Sequence, residues 1–101
     1  MSMTKKYLKT KPICKVRFKV EKEVSAESKT VHLVGDFNNW DVQATPMTKF
    51  KNGTYATEIA LDTDKEYQFK YLIDGENWAN DLASDKYIPN EFQGENSVVI
   101  V

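Results

Sequence analysis

Apolar and polar residues alternate with a period of two in one short run after another, and no segment keeps a helical period for more than a few residues. Cys14, Val16, Phe18 and Val20 alternate with Lys15, Arg17 and Lys19, the pattern of a strand buried on one face. Thr30 to Gly35 reads as a second strand with Val31 and Leu33 on one side, and Pro46 to Phe50 as a short edge strand. Thr54 to Leu61 puts Tyr55, Thr57, Ile59 and Leu61 on one face. Glu66 to Ile73 sets Tyr67, Phe69, Tyr71 and Ile73 against Gln68, Lys70 and Leu72. Ser97 to Val101 is a closing β-branched strand. Turn formers punctuate these runs. Residues 21–29 read as a loop, and Asp36, Asn38 and Asn39 break regular structure. Asn52-Gly53 signals a type I′ hairpin, and Asp74-Gly75 a second hairpin with Trp78 on a short returning strand. Residues 81–96 read as polar and irregular. Short strands at this spacing predict an all-β, antiparallel β-sandwich.

The length of 101 residues supports one domain and excludes a (β/α)₈ barrel within this sequence. No run approaches the roughly 20 apolar residues of a membrane-spanning helix. The net charge is −1, but residues 1–19 carry seven basic groups and no acid, leaving seven basic and fifteen acidic groups in the rest. Lys15, Arg17 and Lys19 alternate with apolar residues, so this charge reads as a solvated strand face. Residues 1–12 are expected to form a basic N-terminal arm free to move, with residues 13–101 as the sandwich. Cys14 is the single cysteine, and no apolar stretch marks a signal peptide. Both observations point to a reducing, cytoplasmic setting.

Catalytic motifs are missing. The one histidine, His32, lies between Val31 and Leu33 in a strand and reads as a structural or surface residue rather than a general base. Cys14 and His32 are too few for a Cys/His zinc site, and no cofactor is implied. There is no GxSxG elbow and no phosphate-cradling glycine loop. Asp36, Asp41, Asp74, Asp81 and Asp85 all fall in predicted turns or loops, where aspartates are solvated or accept backbone N–H groups. A non-enzymatic role follows.

Trp40 and Trp78 differ from the other aromatic residues in sitting beside turn formers rather than in the alternating runs. An indole in such a place either packs down as a lid or offers a rigid apolar plane to a ligand. The axial C–H groups of a glucose ring match such a plane. Around these residues the chain resembles a known family. Val31-His-Leu-Val-Gly35-Asp-Phe-Asn-Asn-Trp40 is similar to the "V-x-L-x-G-x-F-N-x-W" opening of family 48 carbohydrate-binding modules. Thr45-Pro46-Met47, Asn52-Gly53-Thr54-Tyr55 and Glu66-Tyr-Gln-Phe-Lys70-Tyr-Leu-Ile-Asp74-Gly75 resemble its following motifs. Glu95-Asn96-Ser97-Val98-Val99 resembles its closing "N-N/S-V-V".

The resemblance implies an early-set, immunoglobulin-like sandwich that binds α-1,4-linked glucans such as glycogen, starch or maltooligosaccharides. It implies Trp40 and Trp78 as stacking residues, with Lys70 and Asn96 as hydrogen-bonding residues. Relative to the family pattern, Asp74-Gly75-Glu76-Asn77-Trp78 is one residue longer, and Ser97 replaces the second asparagine. The loop before Asn96 is shorter than in some members that project a loop residue toward the glucan, and Phe92, Gln93 or no residue takes that place. The alternative is a protein-interaction module that docks onto a separate glycan-processing enzyme. Neither nucleic acid nor membrane is expected as a partner.

Overall fold

A computed structural model describes residues 3–21, 28–81, 83–90 and 94–101. Residues 22–27 of the expected loop, and Phe92 and Gln93, lie outside the described residues. The strands are β1 (Met3–Tyr7), β2 (Ile13–Val20), β3 (Val31–Gly35), β4 (Thr48–Lys49), β5 (Tyr55–Asp62), β6 (Glu66–Ile73), β7 (Asn77–Ala79), β8 (Lys86–Pro89) and β9 (Glu95–Ile100). They form two antiparallel sheets. One has the order β1-β2-β5-β4 and the other β3-β6-β9-β8, with β7 also paired to β6. The result is the all-β sandwich that the alternation predicts.

The registers explain which face is buried. Cys14, Val16, Phe18 and Val20 lie opposite Leu61, Ile59, Thr57 and Tyr55, so the inward sets of β2 and β5 coincide. On the other sheet Leu33 faces Tyr71, and Phe69 faces Ser97. Phe18 and Phe69 meet edge to face across the core, with centroids 5.0 Å apart. Phe37 closes one end of the sandwich against Phe18 and Tyr67, at 5.8 and 6.2 Å.

Several details differ from the sequence reading. The arm is not wholly separate: Met3–Tyr7 pairs with β2 along its length, and Met3 is buried opposite Phe18. The unpaired edge of β2 offers a ladder to any adjacent segment, whatever its side-chain pattern. The Lys5–Asp85 ion pair (2.6 Å) then ties this edge to the opposite sheet. Residues 81–96 are not all irregular, because Lys86–Pro89 pairs with β9. The Asn52-Gly53 hairpin forms, but only Gly53 has a positive φ (89°), and a type I′ turn needs two such residues. Gly53 N–H donates to Phe50 O (3.0 Å), while Asn52 Oδ1 accepts from Thr54 N (3.1 Å). At Asp74-Gly75 both residues are left-handed (54° and 70°), as the type I′ signal predicts. Asp81 is 1% exposed, and of the two environments expected for these aspartates it takes the second, its Oδ1 accepting from Ala83 N (2.8 Å). As the alternation predicts, Lys15, Arg17 and Lys19 lie on the outer face of the four-stranded sheet, where Lys6 joins them opposite Lys15.

Candidate functional site

The outer face of the five-stranded sheet carries the site. Gln68, Lys70 and Leu72 point outward from β6, and the register adds Val34 beside Lys70, Trp78 beside Leu72 and Val98 beside Gln68. Val34, Leu72 and Val98 are buried although they face away from the inter-sheet core. Above this apolar base lies a groove of about 820 Å³, lined by Asp36, Trp40, Val42, Gln68, Lys70, Trp78, Asn90 and Asn96. That volume falls in the range of small-ligand clefts. Among the described residues no cluster of three or more His, Cys, Asp or Glu could hold a metal ion.

The loop after β3 delivers Trp40. Gly35 has no room for a side chain: a Cβ there would lie 2.5 Å from Gln68 O and 2.8 Å from Phe69 Cβ. Asn38 ties the loop down, donating to Leu33 O (2.9 Å) and Thr45 Oγ1 (3.0 Å) and accepting from Gly35 N (3.0 Å). Asn39 and Trp40 then both take left-handed φ values of 58° and 57°. Asparagine tolerates this; a bulky indole does so only when its surroundings impose it. Two contacts impose it here. Trp40 N donates to Gly35 O (2.9 Å), and the indole Nε1 donates to Asp36 Oδ1 (2.9 Å). The other carboxylate oxygen of Asp36 accepts from Gln68 N (2.7 Å). One aspartate thus pins the indole edge to strand β6.

Trp78 comes from the β6–β7 hairpin and is 48% exposed. The additional residue in Asp74–Trp78 is absorbed by the turn, and Trp78 still pairs with Leu72 on the groove side. Asp74 anchors the hairpin: its N donates to Thr30 O (2.8 Å), and its Oδ1 accepts from Lys29 N (2.7 Å) and Thr30 N (3.0 Å). The Thr30 N–H, then the Lys29 N–H, hold its carboxyl below the usual carboxylate range.

Lys70 lies half-buried between the two indole-bearing segments. Its ammonium has no hydrogen-bond or ion-pair partner among the described residues. Asn96 donates from Nδ2 to Gln68 Oε1 (3.0 Å) and accepts at Oδ1 from Asn90 Nδ2 (3.1 Å). Behind it, Asn80 Nδ2 donates to Glu95 O (2.9 Å). Ser97 turns inward, accepting from Asp81 N (2.8 Å) and donating to Asn80 Oδ1 (2.9 Å). The departure from a second asparagine therefore serves the interior rather than the groove. Asp81 also accepts from Tyr71 Oη (2.7 Å), and burial, then the adjacent carboxylate, pushes that phenol well above its ordinary pKa.

All four residues singled out in the sequence, Trp40, Lys70, Trp78 and Asn96, line this one groove. A family model for carbohydrate-binding module 48 (isoamylase N-terminal domain) matches residues 14–88. The chain belongs to this family. Trp40, Lys70 and Trp78 fall inside the matched span of the module 48 domain, and Asn96 follows it. The chain is 32% identical over 78 residues to the amylopullulanase of Thermoanaerobacterium thermosulfurigenes, covering 69% of this chain and 4% of that protein. It is 40% identical over 52 residues to the 1,4-alpha-glucan branching enzyme GlgB of Aquifex aeolicus (strain VF5), covering 50% of this chain and 8% of that protein. The chain therefore spans a small part of each of these relatives.

Asp36, Val42, Gln68 and Asn90 complete the groove, and neither the loop aromatics nor the family motifs point to them as ligand residues. Gln68 carried a usable signal, since it shares the polar face of its strand with Lys70. Asp36 looked like a turn former, and Asn90 depends on β8, which the sequence did not reveal.

Proposed function

We propose that this module binds α-1,4-linked glucans such as glycogen, starch or maltooligosaccharides, without catalysing their conversion. The reading rests on one observation above all: two indoles, an ammonium without a partner among the described residues and an amide, from four separate segments, converge on one open groove. Each indole offers a flat apolar plane to the C–H face of a glucose ring. Lys70 donates to sugar hydroxyls without breaking an ion pair to any described residue, so its cost there is desolvation. Asn96, held between Asn90 and Gln68, retains one N–H for the ligand. Because Asp36 already fixes the Trp40 indole, little side-chain entropy is lost when a ring stacks on it.

An open groove with two stacking residues buries modest area, so affinities in the micromolar to millimolar range are expected. Affinity electrophoresis through a gel containing glycogen tests the reading. The wild-type chain should be retarded and Trp40→Ala should migrate as in a glycogen-free gel. Equal migration of the two proteins with glycogen present would contradict it.

A further inference from the structure

We propose that Gln68 is a further glucan-contacting residue and acts there as a hydrogen-bond donor, its direction fixed by a chain of side-chain amides that ends on it. This deepens the glucan reading above and rests on it. The chain runs along the groove wall. Gly94 N donates to Asn90 Oδ1 (3.1 Å), Asn90 Nδ2 donates to Asn96 Oδ1 (3.1 Å), and Asn96 Nδ2 donates to Gln68 Oε1 (3.0 Å). Amides linked in series can run in two self-consistent directions, because each can be turned over to exchange its oxygen and nitrogen. The backbone N–H of Gly94 removes that freedom. It is a donor only, so Asn90 must present its oxygen to it, and each later amide follows in turn.

At the end of the chain the Gln68 oxygen is occupied by Asn96. Its Nε2 has no partner among the described residues, and the side chain lines the groove. Lys70, the next outward residue on β6, is likewise a donor only. Asp36, the one carboxylate among the lining residues, has each oxygen engaged by a protein N–H, so it does not reverse this polarity. This stretch of the groove thus meets a ligand with N–H groups. Its complement is a sugar oxygen accepting through a lone pair, and a glucan hydroxyl supplies one.

The test combines two variants with a direct readout on the wild-type chain. Gln68→Glu keeps the length and the oxygen that Asn96 uses, and replaces the donor by a second acceptor. Gln68→Met keeps length alone. The dissociation constant for maltoheptaose should rise about tenfold in Gln68→Glu and by a smaller factor in Gln68→Met. In the 15N-HSQC spectrum of the wild-type chain, the Gln68 Nε2 proton pair should shift on adding maltoheptaose. Wild-type affinity in both variants, with binding lost in Trp40→Ala, would overturn the donor role and leave the glucan reading standing. A Gln68 Nε2 pair unmoved while the Trp40 Nε1–H shifts would do the same, whether or not the variants fold. No binding by the wild-type chain would overturn both.

Discussion

Replacing Asp36 by alanine removes two hydrogen bonds at once, the one from Trp40 Nε1 (2.9 Å) and the one from the Gln68 backbone N–H (2.7 Å). Bonds to a charged acceptor contribute about 1.5–3 kcal/mol each when buried. Asp36 is exposed, so water recovers much of that, and a net stability loss of about 1 kcal/mol is expected. For a domain of this size that lowers Tm by roughly 4–8 °C. The functional loss comes from the indole. Released from its anchor, Trp40 must be reordered when a sugar stacks, at about 0.5–1.5 kcal/mol, which is roughly a two- to twelvefold loss of affinity. Calorimetric titration with maltoheptaose and a thermal melt measure the two effects separately. The Trp40 Nε1–H resonance should also move toward the position of a free indole. Asp36→Asn, which retains one acceptor oxygen, should fall between. An Asp36→Ala protein with wild-type affinity and an unmoved indole resonance would refute the claim that this aspartate sets the stacking surface.

Gly35→Ala should destabilise the fold by about 1–3 kcal/mol in urea unfolding, because the new Cβ meets the β6 backbone and not a flexible side-chain end. Asp74 has a folded-state pKa below the unfolded value, so its contribution is present above the ordinary carboxylate pKa and is lost as pH falls through the folded one. Urea midpoints of wild type and Asp74→Asn should accordingly differ at neutral pH and converge in acid; a constant difference would contradict the anchoring role. Tyr71→Phe should cost about 1–3 kcal/mol by leaving one oxygen of the buried Asp81 without its donor, with little change in maltoheptaose affinity.

The parts of the fold legible in the sequence are those where each residue's chemistry reports its own surroundings. β2 and β6 have the core on one side and largely polar residues on the other, so alternation reveals them. β1 and β8 carry no such pattern. Met3 is the only buried side chain in β1, and β8 has none. Both are held by backbone bonds to a neighbour, and a neighbour's free edge leaves no mark on the sequence of the strand that fills it. Asp81 is hidden for a related reason. Its burial depends on Tyr71 and Ser97 facing inward from other strands, while its own neighbours are those of a loop.

The same distinction holds in the site. Trp40 and Trp78 stand out because indoles beside turn formers are chemically conspicuous; Lys70 and Asn96 come from the family resemblance, and the strand period agrees in turning Lys70 away from Phe69 and Tyr71. Asp36 joins Trp40 four residues away but reaches Gln68 across 32 residues, a link only the β3–β6 pairing creates. The amide chain through Asn90, Asn96 and Gln68 likewise needs β8, β9 and β6 side by side.

The central claim is that the outer face of the five-stranded sheet binds an α-1,4-glucan through the Trp40, Lys70, Trp78 and Asn96 groove. A 15N-HSQC titration of the whole chain with maltoheptaose tests it most directly. The account predicts saturable shifts at both indole Nε1–H signals and at residues around Lys70 and Asn96, with the Lys15, Arg17 and Lys19 face of the other sheet unmoved. A spectrum unchanged at millimolar maltoheptaose, or shifts centred on that basic face, would contradict it.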